Sequence, residues 1–151
     1  MAKKSSKAAK KSGKKAPAKK KAIKKPAKVS TGKGASPAEI GGKLVSLFNQ
    51  GKADEWIKSA WDKKVRSIEG DGMQHVGPKA VLEKWAWWMS KTEVLGCTAE
   101  GPYVGATGFA VKYAMHCKDR ASGEEVRMTE VGVYTIKDGK IVQEEFMYAH
   151  R

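Results

Sequence analysis

The side chains able to do chemistry in this chain fall into two sets. One is a dense run of lysines at the N-terminal end, and the other is a scatter of acids and three histidines over the remainder. His75, His116 and His150, with Cys97 and Cys117, show no close metal-ligand spacing, so no metal is assigned. The chain has no Gly-rich phosphate loop, serine nucleophile elbow or Cys–His nucleophile pattern, and no cofactor is expected. Two kinds of chemistry remain. Lysines can bind polyanions, and carboxylates with imidazoles can move protons.

The lysines are segregated. Residues 1–35 contain fourteen lysines, no arginine and no acid, whereas residues 36–151 contain sixteen basic and sixteen acidic side chains. The net charge of +14 therefore belongs to the first segment, and the rest sums to zero. Residues 1–35 are mostly Lys, Ala, Ser, Gly and Pro, with Ile23 and Val29 the only branched aliphatics and no aromatic, too little apolar surface to offset about 1–2 kcal/mol of backbone entropy per residue. A disordered tail is expected there, with one domain over 36–151. Lys14, Lys15, Lys19, Lys20, Lys21, Lys24, Lys25 and Lys28 are its expected polyanion contacts. Ammonium groups neutralise phosphates and release counterions without reading bases. Nucleic acid is the expected partner; another polyanion or a merely solubilising role is the alternative.

The remaining 116 residues carry all five Trp, three Phe and four Tyr, enough for one core. No apolar stretch approaches the length of a membrane span, and no signal-peptide pattern is seen. The expectation is a cytoplasmic protein with reduced thiols, its tail giving a route to the nucleoid.

These residues must be positioned by elements the sequence outlines. Ser36-Pro37-Ala38-Glu39 is a capping box, and Ile40, Leu44, Leu47 and Phe48 follow at helical spacing. A second short helix is expected over 54–61, with Ile57, Ala60 and Trp61 on one face, then a strand over 65–69 and a loop at Gly70-Asp71-Gly72. Gly77-Pro78 opens a third helix to about Ser90, striped by Val81, Trp85 and Trp88. Strands are expected near 93–100, 106–117, 124–136 and 140–148. Asp138-Gly139 marks a tight hairpin between the last two. Three helices and a long antiparallel meander imply segregated α+β, with the sheet bent around the helices to enclose a conical cavity.

Four segments carry a resemblance. Phe48-Asn49-Gln50-Gly51-Lys52-Ala53-Asp54 is similar to the end of helix one in the nuclear transport factor 2-like superfamily. Ala60 to Gly70 resembles its short helix followed by a strand bearing a carboxylate. Gly77-Pro78-Lys79-Ala80-Val81 resembles the start of its third helix, and Tyr134 to Glu145, with Asp138-Gly139-Lys140-Ile141, resembles the last hairpin of SnoaL-like proteins. Residues 36–149 are covered. The tail is similar in composition to linker-histone tails. The resemblance implies a cone-shaped α+β (cystatin-like) fold, usually a homodimer through the sheet. Family activities include cyclases, ketosteroid isomerases, dehydratases and non-catalytic binding domains.

In that frame Glu69 matches the general base of the isomerases, while Leu44 and Gly132 stand where their oxyanion-hole tyrosine and acid would be, which argues against isomerase chemistry. Glu130 shares a strand face with Gly132 and Tyr134 and is a second candidate acid. His75 precedes the third helix and is a candidate proton partner for Glu69. The plainer alternatives are a loop-capping Glu69, a Glu130 bridged to Lys112 or Arg127, and an idle loop histidine. Trp61, Met73, Trp85, Trp88, Tyr134 and Phe146 are the expected cavity lining. On the last strand Glu144, Phe146 and Tyr148 share one side and Glu145 and Met147 the other, and alternation alone does not say which faces inward. The expected function is a SnoaL-like small-ligand-binding or dimerisation domain tethered to nucleic acid. One alternative is a cyclase, isomerase or dehydratase acting on an apolar carbonyl compound, and another is a structural nucleoid protein.

Overall fold

The computed structural model describes residues 34–148, so the lysine-rich segment up to residue 33 and the terminal His150 lie outside the described residues. Helix α1 (Pro37–Phe48) starts as the capping box requires. Ser36 Oγ accepts from the Glu39 backbone N–H, and the Glu39 carboxylate accepts from the Ser36 N–H at 2.7 Å. At the other end Asn49 clamps α1 to the sheet: its side chain donates to Ala99 O at 2.9 Å and accepts from Ala99 N–H at 2.8 Å.

Helix α2 (Ala53–Ala60) buries Ile57 and Ala60 and stops one residue before Trp61. Trp61 shares the helical spacing of Ile57 and Ala60, yet its backbone is extended (φ −68°, ψ 144°), and it opens strand β1 (Trp61–Ile68). The expected strand is therefore longer at its N-terminal end. A three-residue strand, β2 (Gln74–Val76), not foreseen in the sequence, folds back on β1. Helix α3 (Pro78–Lys91) follows, then β3 (Thr92–Val104), β4 (Gly108–Asp119), β5 (Glu125–Lys137) and β6 (Lys140–Met147).

The six strands form one sheet in the order β2-β1-β6-β5-β4-β3. The meander β3 to β6 is antiparallel throughout, as the hairpin signals imply, and Asp138 and Gly139 both take positive φ (49° and 74°) at its tightest turn. Strand β1 extends the sheet by pairing in parallel with β6. That parallel contact brings residues near 66 beside residues near 143.

The inner face carries the core. Phe109, Val111 and Tyr113 of β4, Tyr134 of β5 and Ile141 and Phe146 of β6 are buried against Ile40 and Leu44 of α1, Ile57 of α2 and Val81 of α3. Each fully buried Val or Ile contributes about 1.5–3 kcal/mol. Phe109 stacks on Tyr134 at 4.8 Å, and Phe48 meets Tyr113 at the same separation. This packing fixes the face alternation for the last strand. Glu144, Phe146 and Tyr148 point inward, and Met147 points out to solvent.

Candidate functional site

Strand alternation on a curved, open sheet drives several polar side chains onto its inner face. The centre of the group is Lys84 on α3. Its ammonium donates to Glu69 Oε1 at 2.5 Å and to Ser67 Oγ at 2.9 Å, and lies 4.8 Å from the centre of the Phe146 ring. Both ends of the ion pair are largely shielded, with side chains 13% and 20% exposed for Lys84 and Glu69. Tyr148 donates to the other oxygen of Glu69 at 3.1 Å. Glu69 is thus held by Lys84 and Tyr148 while its backbone N–H closes the loop onto Met73 O at 2.9 Å. The loop-capping alternative concerns the carboxylate, which instead bonds Lys84 and Tyr148, while the loop is closed by the backbone N–H.

Glu144 and Glu130 complete the acidic group. Glu144 is fully buried, and its Oε2 accepts from the Trp61 indole N–H at 3.0 Å. Its Oε1 has no hydrogen-bond partner of good geometry among the described residues, although the Ser67 hydroxyl lies close enough to favour the charged form. Burial raises the Glu144 carboxyl above the usual range, opposed chiefly by Lys84. Glu130 sits opposite Tyr113 on β5, on the inner face. The bridges considered for it do not fit this placement. Lys112 pairs with Glu100 at 3.2 Å, and Arg127 lies on the outer face, opposite His116. Burial, reinforced by Glu69 and opposed by Lys84, pushes the Glu130 carboxyl up to about 7.

Two hydroxyls meet between β4 and β5 on the inner face. Tyr113 and Tyr134 share a hydrogen bond of 2.7 Å in the core, and burial drives both phenols upward. Gly132 makes room for them: a Cβ there would lie 3.0 Å from the Tyr134 ring and hydroxyl and 3.1 Å from the Tyr113 ring. Burial and the neighbouring Glu69 raise Tyr148 to about 12.

The expected lining residues divide. Trp61 is buried and meets half-buried Trp85 edge-on at 5.3 Å, while Tyr134 and Phe146 wall the core. Trp88, one turn beyond Lys84 on α3, lines a cleft of about 330 Å³ floored by Cys117, Val126 and Met128. Met128 is two residues before Glu130 on the same face of β5, and Asp119 and Glu124 also line the cleft. Met73 is 56% exposed on the loop before β2, away from that floor. His75 pairs across from Ser67 and shares its face, half-buried, but no hydrogen bond joins it to Glu69 among the described residues. His116 bonds Glu125 at 2.8 Å on the outer surface. Lys84, Glu144, Ser67 and Tyr148 were not singled out by their types or spacing. The one available signal was the inward alternation of Glu144 with Phe146 and Tyr148. Among the described residues no cluster of His, Cys, Asp and Glu is arranged to hold a metal ion, and no helix is long and apolar enough to cross a membrane.

Three helices on a curved sheet with polar groups gathered inside define the nuclear transport factor 2-like class of α+β cone. The description "SnoaL-like domain" fits residues 35–148, and the chain belongs to that family. A Mesorhizobium loti protein described as a SnoaL-like polyketide cyclase is 35% identical; the alignment covers 76% of this chain and 100% of that one, with a TM-score of 0.70. A Jannaschia protein described in the same way is 17% identical, with 77% and 90% of the two chains covered and a TM-score of 0.62. A nuclear transport factor 2-like protein of unknown function from Burkholderia pseudomallei is 13% identical, with 76% and 92% covered and a TM-score of 0.62. These last two share the fold. No curated protein matches the chain.

Proposed function

We propose that the domain binds a small apolar carbonyl compound and moves protons on it, as a cofactor-independent cyclase, isomerase or dehydratase. The observation that supports this reading best is the placement of Glu130. It lies on the inner face of β5, two residues from Met128 in the floor of the Trp88 cleft, and burial pushes its carboxyl up to about 7. A group that titrates near the working pH both accepts and returns a proton readily. Glu69 and Glu144 flank it, and Tyr113 and Tyr134 supply hydroxyls nearby. His75, facing the same side as Ser67, is a second proton carrier at the edge. The test is turnover of a panel of apolar enones and epoxides by the wild-type chain and by Glu130→Gln and Glu69→Gln. Wild-type turnover, lowered by at least about 100-fold in Glu130→Gln, is expected. A wild-type chain inert on the whole panel overturns the reading.

A second reading concerns location and is favoured by the charge segregation alone. The fourteen lysines of residues 1–35 face no acid in their own segment, while the domain is neutral. We infer that this segment tethers the domain to DNA through phosphate contacts. Self-association would bring two tails to one duplex and raise avidity. The outer face of the sheet suits it, because half-buried Val131 and Val133 and exposed Met147 lie together across β5 and β6.

A further inference from the structure

We propose that Cys97, Met115 and Cys117 form a binding site for a soft monovalent metal ion, copper(I), on the inner face of the sheet. Strand register brings the three sulfur side chains together. Cys97 of β3 pairs directly with Met115 of β4, and Cys117 lies two residues further along β4 on the same face. That face is the inner one, since Tyr113 and Cys117, in phase with Met115, are both buried. The register of β3 shifts between Val94 and Gly96, so that Val94 pairs with Cys117 and Cys97 with Met115, and both turn inward. Strict alternation along β3 would put these two on opposite faces.

Directly paired side chains on one face hold their Cβ atoms about 4.5–5.5 Å apart, and diagonal ones, as Cys97 and Cys117 are, about 7 Å apart. That diagonal exceeds the roughly 3.5–4.5 Å of a disulfide, whereas two metal–sulfur bonds of about 2.3 Å span it. Both thiols are free, Cys97 exposed and Cys117 buried. Cys117 lines the cleft beneath Trp88, whose wall includes the acids Asp119 and Glu124 and so suits a cation. Asp119 Oδ1 is engaged by the Ala121 and Ser122 N–H groups, which leaves sulfur as the donor. Burial and then Cys97 raise the Cys117 thiol, and burial and then Asp54 raise Cys97, so each thiol keeps its proton until an ion displaces it. Thiolate and thioether ligands select copper(I), whereas zinc sites add histidine, carboxylate or further cysteines. Nothing in this site depends on the proton-transfer reading, and no substrate is needed to test it.

The full chain, reduced and labelled with 13C in its methionine methyls, is titrated with silver(I) as the probe and followed by NMR. Stoichiometric silver(I) is expected to shift the Met115 methyl, assigned by its loss in Met115→Leu, and to leave exposed Met73, Met89 and Met147 in place. Excess zinc is expected to leave the silver bound. Copper(I) affinity, read without air by competition with bicinchoninate, is expected to fall at least about tenfold in Cys97→Ser and in Met115→Leu. The second change nearly preserves side-chain volume, so packing alone does not produce the loss. A Met115 methyl that stays put, methionine signals that all move together, silver displaced by zinc, or a copper(I) affinity unchanged in either variant overturns the proposal.

Discussion

The Trp61 indole N–H donates to Glu144 Oε2 across 3.0 Å, joining the first residue of β1 to the middle of β6 in the buried centre of the fold. The bond satisfies one oxygen of a carboxyl that solvent cannot reach. Trp61→Phe keeps an aromatic ring and removes the donor, leaving both oxygens poorly partnered. A loss of about 1–3 kcal/mol in urea unfolding is expected. Combining it with Glu144→Leu should cost less than the sum of the single changes, because removing both partners leaves no polar atom stranded. Strict additivity would contradict a coupled pair.

The Glu130 carboxyl makes stability depend on pH in a stated direction. In the folded chain it keeps its proton up to about 7, against an ordinary value of 4.5. Between those values the folded state binds more protons than the unfolded one, so stability is greatest below the lower value and declines as pH rises toward the upper. The decline should amount to about 3 kcal/mol. Glu130→Gln, which cannot ionise, is expected to flatten this part of the stability curve in denaturant unfolding from pH 4 to pH 8. A variant with the same slope as wild type would assign the pH dependence elsewhere.

For the tethering reading, removal of residues 1–35 is expected to abolish retention of the protein on DNA-cellulose at low salt. With the segment in place and about six lysines engaged, binding should weaken on the order of a thousandfold between 50 and 200 mM salt. Retention that survives the deletion places the contact on the neutral domain and overturns the reading.

How much of this was legible beforehand depended on the range of the interactions. The Ser36–Glu39 capping box and the Asp138-Gly139 turn are local, and the structure follows both. Trp61 misled because its spacing from Ile57 is helical, while its conformation is decided by β6, some eighty residues away in the chain. Strand β2 is too short to carry a pattern of its own and exists through its pairing with β1. Lys84 sits among Lys79 and Lys91 on a helix, where a lysine ordinarily marks the solvent side. Only the parallel β1–β6 contact and the turn after β1 bring Ser67, Glu69 and Phe146 around it. Glu144 stands in a Glu-Glu pair whose two faces alternation separates, but the packing of the helices on the sheet decides which is inside. Glu130 was identified from its shared face with Tyr134, and its inward placement follows from the Tyr113 register.

The most direct measurement is the pH titration of the Glu130 side-chain carboxyl in the wild-type chain, followed by NMR and assigned by its loss in Glu130→Gln. A midpoint near 7 is the expected result, as an acid–base group on the inner face of β5 requires. A midpoint at the ordinary carboxylate value of 4.5 would contradict it, because Glu130 would then be a permanently charged group at neutral pH with no proton to deliver.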